Sequence, residues 1–399
     1  MLTSVSAARN LLFAIDLNWP VEKVSFYDLV GAPSRVRART IVADRDQPPF
    51  NRVAMDGVAI NYSAYAGGQR LFPVAWLQAA GAEPRSLTDP TKCIEIMTGA
   101  ALPAGVSTVI RYEDLTREDN AFRLPDGLPD GKAIHPRGKD IRAGEPLATG
   151  RRRIRVAEIG MLASCGYTEL EVVRQPRVAV VATGNELVAV ADQPLDYQIR
   201  MSNVFQLQYL LENAGARTTV HHFPDDRVTL LQNIERCLAE SDLVVLSGGV
   251  SKGKLDFVPG VLAELGVEQL FHGVAQRPGK PLWCGRRGNT VVFGLPGNPV
   301  SSVNCLVHYV LPFVRRQFGL TEPEEFASLS EDVSFGPDLT LFQLVSLKSD
   351  PATGGLIAHP TKNQGSGDAT SMLRSDGFIE LPAGASVYPA GHVFRVRRF

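Results

Sequence analysis

The sequence predicts an α/β multidomain protein: a parallel α/β sandwich domain accompanied by small β domains, the last of them a C-terminal β-barrel. From Arg177 onward, short Val- and Leu-rich runs alternate with segments of helical period, as βαβ units require. On either side of that region, short β segments are separated by Gly and Pro. Within it, apolar runs end sharply at Thr183-Gly184, at Ser247-Gly248-Gly249 and at Gly294–Asn298.

Taken in order, the chain opens with Val5, Leu11, Leu12 and Ile15 at roughly helical spacing, stopping before Pro20. VEKVSFYDLVGAPSRVRARTIVAD then reads as a short strand, a helical turn and a strand. Pro48-Pro49 punctuates QPPFNRVAMDGVAI, and Met55-Asp56-Gly57 interrupts its apolar run. A small β domain is expected over residues 46–138, built from LFPVAWL, KCIEIMTGA and VSTVIRYED. Its alternation of Cys93, Glu95 and Thr98 against Ile94, Ile96 and Val109 is that of half-buried strands. Residues 139–173 supply a turn, a helix and a strand, and group with 1–45 as an N-terminal and linker domain. Arg151-Arg152-Arg153 reads as a solvated edge.

Residues 174–322 form the expected α/β domain. Its strands are RVAVVAT, RTTVHHF, DLVVLSGG and VVFGLPG; its last helix is the long apolar PVSSVNCLVHYVLPFVRRQF. Right-handed crossovers put helices on both faces, and ligands of such sheets bind beyond the strands' carboxyl ends. The three glycine turns therefore fall on one rim. After residue 322, LTLFQLVSLKSD, GLIAHPTK, GFIELPAG and HVFRVRRF predict the small β-barrel.

Composition excludes several classes. The 399 residues are 44% hydrophobic and 21% charged, with net charge -1, so no global field favours nucleic acid or an anionic membrane. No apolar run reaches the length of a membrane span, and the first residues lack a signal-peptide core, which makes the cytoplasm the expected compartment. Five scattered cysteines without a CxxC pair read as buried thiols in a reducing environment. His221 and His222, adjacent on a strand, point to opposite faces and do not suit a shared metal.

The central stretch is LVVLSGGVSKGKLD. A buried strand runs into Ser247-Gly248-Gly249; Ser251, Lys252, Lys254 and Asp256 follow, then a helical pattern. Glycines there let backbone N–H groups approach an anion, although an ordinary Gly-rich turn reads equally well in isolation. Likewise Pro296-Gly297-Asn298-Pro299 opens the long helix, with Ser301 and Ser302 in its first turn. That is either an anion seat or, for Ser301, a plain cap.

Together, PPFNRVAMDGVAI, IMTGAALPAG, RGKDIRAGE, VAVVATGNELV, LSGGVSKGKLDF, RPGKPLWCG, FGLPGNPVSS and GSGDATSMLRSDGFIELPAG resemble, in order and spacing, the MoeA-type molybdopterin molybdenumtransferases, which include the E domain of gephyrin. The resemblance spans nearly the whole chain. It implies a MogA-like α/β domain and Mg²⁺-dependent insertion of molybdate into adenylated molybdopterin, with release of AMP. It also implies a homodimer whose cleft lies between the α/β domain of one subunit and the small β domain of its partner, and transient contact with other proteins of the pathway.

Carried onto this sequence, the family's reacting positions are Asp56, Thr98, Asp140, Glu186, Asp256 and Lys280, with Glu186, Asp256 and Asp56 toward the metal. Substrate-binding positions are Gly184, Ser247, Gly248, Gly249, Ser251, Arg277, Pro296, Gly297, Asn298, Ser301, Ser366 and Ser371. The chemistry is coherent, because two anionic reactants need a hard cation on carboxylates and a lysine against their repulsion. Departures exist: Asn185 and Met201 stand where acids are usual, Arg277 where a lysine is, and Val58 where an aromatic is. Two other functions compete. A MogA-type adenylyltransferase is disfavoured by the extra β domains and the PPFNRVAMDG segment; a non-catalytic dimeric scaffold is separated by whether AMP is released.

Overall fold

The computed structural model describes residues 2–32, 34–250 and 256–399. It divides into two compact units: Met1–Ala38 with Arg151–Arg155 and Glu169–Phe399, and Arg39–Gly150 with Val156–Thr168. The expected grouping of 1–45 with 139–173 is thus split between the units. The reason is visible in the first helix, α1 (Val5–Phe13). Its buried Val5, Ala8 and Leu12 join the core that covers the α/β sheet. Ser4 caps it, accepting the Ala7 N–H at 3.2 Å.

The larger unit continues, in chain order, with β1 (Arg177–Thr183), α2 (Asn203–Asn213), β2 (Arg217–Phe223), α3 (Arg227–Glu240), β3 (Leu243–Ser247), α4 (Val258–Glu264), β4 (Glu268–His272), β5 (Trp283–Arg287) and β6 (Thr290–Leu295). The sheet order is β2-β1-β3-β6-β5-β4. β2, β1, β3 and β6 are the four strands expected from the sequence, and they are parallel. β5 and β4 add an antiparallel edge. Alternate residues of β1 and β3 enter opposite layers: Val178, Val180 and Val245 face one core, and Ala179, Val181, Val244 and Leu246 the other. Burial on both faces is why these strands read as unbroken apolar runs.

The long helix is α5 (Pro299–Cys305), a widened turn over Leu306–Val310, and α6 (Leu311–Gln317). Pro312 lacks an N–H and its ring crowds the carbonyl one turn back, which accounts for the widening. Beyond it, β7 (Glu325–Leu329), β8 (Thr340–Ser349), β9 (Leu356–Pro360), β10 (Gly377–Leu381) and β11 (Val393–Arg398) close a five-stranded barrel in the order β8-β9-β7-β11-β10, with β10 returning to β8. Val345, Ala358, Ile379, Leu381 and Val396 fill it.

The smaller unit carries a six-stranded sheet in which Gly57–Ile60 lies between the edge strand Thr108–Arg111 and Cys93–Ile96. Leu71–Gln78 is half-buried, but Cys93–Ile96 and Thr108–Arg111, whose alternation suggests the same, are mostly buried. Cys93 and Ile94 lie in different buried clusters, so this part of the sheet is covered on both faces. The arginine run lies at an edge as expected: Arg152–Arg153 is the outer strand of a four-stranded sheet and Arg151 is exposed, but its last member is tied inward. Arg153, in the larger unit, donates to the carbonyls of Asn213 and Ala214 at 3.0 and 2.8 Å, closing the end of α2. All five cysteines are free and buried. Among the described residues, no helix is long and apolar enough to cross a membrane.

Candidate active site at the rim of the parallel sheet

All four parallel strands end at one cavity of about 630 Å³. β1 delivers Thr183, Gly184 and Glu186; β2 is followed by Asp225; β3 ends in Ser247, Gly248 and Gly249; β6 is followed by Pro296, Gly297 and Asn298. Asp256, just before α4, completes the wall. The glycine pair is required by geometry. Gly248 and Gly249 have φ of 100° and 67°, and a Cβ at either would lie 2.8 Å from Thr183, against its carbonyl oxygen or its hydroxyl.

Polar side chains fasten these turns to one another. Asn203, at the start of α2, donates its Nδ2 to Ser247 Oγ at 3.1 Å and to the Gly297 carbonyl at 2.7 Å, joining the ends of β3 and β6. Ser302 Oγ donates to the Pro296 carbonyl and to that of Asn298 at 3.2 Å. The cap position of α5 belongs to Asn298 rather than Ser301. Its amide makes no capping bond and instead donates to Ser366 Oγ at 2.8 Å.

Three carboxylates face this cavity: Glu186, Asp225 and Asp256. Burial first, then the charge of Glu186 and that of Asp256, hold the Asp225 carboxyl above its ordinary value; the backbone of Asn185 and the charge of His222 oppose the shift. His222 itself bonds the Gly184 carbonyl at 3.0 Å, and His221 bonds Thr219 at 3.1 Å. Among the described residues no cluster of three or more His, Cys, Asp or Glu stands close enough to form a ready-made metal cage. The two carboxylates expected from the sequence are therefore joined by a third, Asp225.

Lys280 lines a second cavity, of about 740 Å³, together with Arg277, Ser301 and Ser366. The two cavities share Pro281, Pro296 and Asn298 as a common wall. Barrel residues Phe335, Leu341 and Phe342 form the far side. The Lys280 turn is held from beneath by two fully buried amides: Gln276 Nε2 donates to the Gly279 carbonyl at 3.1 Å, and Asn304 Nδ2 to that of Pro278 at 3.1 Å.

Not every expected position lies in these cavities. Ser371 is fully buried and its hydroxyl donates to the Asp368 carbonyl at 2.6 Å; it lines neither. Ser251, Lys252 and Lys254 lie outside the described residues. Asp56, Thr98 and Asp140 belong to the smaller unit. There Asp56 Oδ1 accepts the Thr98 N–H at 2.6 Å, which with the Thr98 hydroxyl holds that carboxyl below its usual range. Asp140 pairs with His135 at 2.8 Å. Asp225 and Asn203 went unassigned from sequence alone, and Thr183 was placed on the rim without a role of its own. Each stands at or just beyond the end of a strand, or opens a helix, facing the same rim, so the strand-end rule was the signal available for them.

Fold and rim together define a multidomain α/β enzyme class, with a ligand site at the carboxyl ends of a parallel sheet and a small barrel behind it. Comparison with known proteins narrows this. The MoeA N-terminal region (domain I and II) matches residues 3–166, the "probable molybdopterin binding domain" residues 179–316, and the MoeA C-terminal region (domain IV) residues 327–399. The molybdopterin molybdenumtransferase of Synechocystis sp. is 37% identical over 98% of this chain and 99% of its own length; that of Staphylococcus epidermidis is 31% identical over 90% and 88%. A crystal structure of the molybdopterin biosynthesis MoeA protein of Pyrococcus horikoshii superposes with a TM-score of 0.83 at 28% identity, covering 100% of this chain and 99% of the other. The chain belongs to the MoeA family of molybdopterin molybdenumtransferases, transferases of molybdenum cofactor biosynthesis.

Proposed function

We propose that this protein inserts molybdate into adenylated molybdopterin and releases AMP, with Mg²⁺ as the required cation. The observation that carries the reading is the meeting of all four parallel strand ends, with Glu186, Asp225 and Asp256, at one cavity, beside a second holding Lys280 and Arg277. Mg²⁺ fits the donor set of the first cavity. It accepts one or two carboxylates, retains water, and takes its remaining oxygens from substrate phosphate, so no closed protein cage is needed. Three acids close enough for Glu186 and Asp256 to raise Asp225 are a charge excess that a bound cation relieves. When bound there, the cation would offset phosphate charge.

The chain's own groups do the rest. Gly248 and Gly249 let backbone approach the substrate phosphates, and Asn203 keeps the two turns in register. In the neighbouring cavity Lys280 and Arg277 draw in the molybdate oxyanion, and Lys280 offsets charge on its oxygens during transfer. A homodimer is part of the proposal, with Asp56, Thr98 and Asp140 of the partner completing the cleft, together with a four-domain subunit, transient exchange with other proteins of the pathway, and a cytoplasmic location to which five reduced buried thiols are suited. Incubation of the purified protein with adenylated molybdopterin, molybdate and Mg²⁺ tests the reading: AMP should appear only when all three are present. Absence of AMP would leave a scaffold, and ATP-dependent adenylation of molybdopterin would make the protein an adenylyltransferase.

A further inference from the structure

Thr183, the last residue of β1, has 4% of its surface exposed, yet lines the first cavity. Among the described residues its Oγ1 is buried without a hydrogen-bond partner. A buried hydroxyl left unpaired costs stability, and native structures seldom keep one without a use for it. Here the surroundings are shaped around it. A Cβ on Gly248 would lie 3.0 Å from this oxygen and one on Gly249 2.8 Å from it, so the two glycines clear the space beside the hydroxyl. Gly248 N is already committed to the Leu295 carbonyl at 3.1 Å, and Ser247 Oγ already accepts from Asn203. The Thr183 hydroxyl is a donor at the strand-end glycine turn that is still unspent.

We infer that Thr183 is a ligand-binding residue, whose hydroxyl donates a hydrogen bond to a phosphate oxygen of the substrate in the first cavity. The inference rests on the proposed function for the identity of that substrate. A phosphate is the acceptor favoured at this position, since glycine turns after parallel strands are where backbone approaches phosphate oxygens. Among Glu186, Asp225 and Asp256, a neutral donor reaches an anion without adding to the repulsion.

The test is isothermal titration of AMP, and of adenosine as the phosphate-free control, into the wild type, Thr183→Val and Thr183→Ser, each with its thermal unfolding recorded without ligand. Valine keeps the shape and removes the donor. Thr183→Val should bind AMP about 10- to 100-fold more weakly, bind adenosine as the wild type does, and melt at the same temperature or higher, because an unpaired buried hydroxyl has gone. Thr183→Ser should recover most of the AMP affinity. AMP binding by Thr183→Val within twofold of a binding wild type overturns the inference and leaves the proposed function standing. A lower melting temperature with equal losses for AMP and adenosine also overturns it, since the hydroxyl would then be structural. A wild type that binds no AMP sinks this inference and weakens the proposed function with it.

Discussion

The two cavities share a wall and differ in charge. Glu186, Asp225 and Asp256 line the first, with Arg200 beside them, whereas the second has Lys280 and Arg277 and, among the described residues, no carboxylate. Their construction differs as well. The first is made of strand ends and glycine turns; the second is a basic turn propped on buried amides and closed by apolar barrel side chains. Segregation of this kind lets one protein hold two anions that repel each other, one through a cation on carboxylates and the other through cationic side chains. The lesson is that Pro281, Pro296 and Asn298 separate two electrostatic environments as well as two volumes.

The sharpest way to break this division is Lys280→Ala. It should cost about 2–4 kcal/mol in transition-state stabilisation, read as a fall in kcat/KM for molybdate of roughly 30- to 1000-fold, while AMP binding is retained. A proportional loss of AMP binding would merge the cavities into one site. Next in size is Gly249→Ala. A φ of 67° and a 2.8 Å approach to the Thr183 hydroxyl make the methyl strained and obstructive, at a cost of about 1–3 kcal/mol of stability in denaturant titrations. It should impair the first cavity and leave molybdate binding at the second.

Asp256→Asn should raise the Mg²⁺ concentration for half-maximal activity by an order of magnitude or so, and leave the molybdate KM at saturating Mg²⁺ unchanged. The smallest expected effect is a control at the opposite end of the sheet. There Arg174 grips Asp242 through two bonds of 2.9 Å. Burial alone would raise that carboxyl; the bond from Arg174 and the Arg177 N–H together bring it below its ordinary value. A depressed folded pKa stabilises the protein above the unfolded pKa of about 3.9 and ceases to do so as pH falls through the lower folded value. Wild type should therefore be more stable than Asp242→Asn at neutral pH, with the difference vanishing in acid and activity untouched. A gap that does not shrink as pH falls below about 3.9 would contradict this.

How much of this was legible in the chain depends on how strictly physics ties residue to place. The parallel strands were readable because both their faces are buried, which leaves no polar residue to break the run. The antiparallel edge was not: β4 and β5 carry Glu268, Gln269, Arg286 and Arg287, and only Phe271, Trp283, Cys284 and Gly285 are buried within them. The glycine turns announced the rim. Asp225 stayed hidden because Asp225-Asp226 looks like a helix start, and half of it is one: Asp226 accepts the Thr229 N–H at 2.8 Å as the cap of α3, while Asp225 turns to the cavity. Ser371 shows the opposite error, since a serine in a glycine-loosened turn can be inside the fold. The orphaned hydroxyl of Thr183 has no sequence signature at all, because a missing partner exists only in three dimensions.

The most direct test of two separate anion sites is a calorimetric titration of molybdate into protein already saturated with AMP and Mg²⁺, comparing wild type with Lys280→Ala. Two sites require the wild type to bind molybdate without displacing AMP, and Lys280→Ala to lose molybdate while keeping AMP. Displacement of AMP by molybdate in the wild type would mean a single shared site, and the division of labour between the cavities would be wrong.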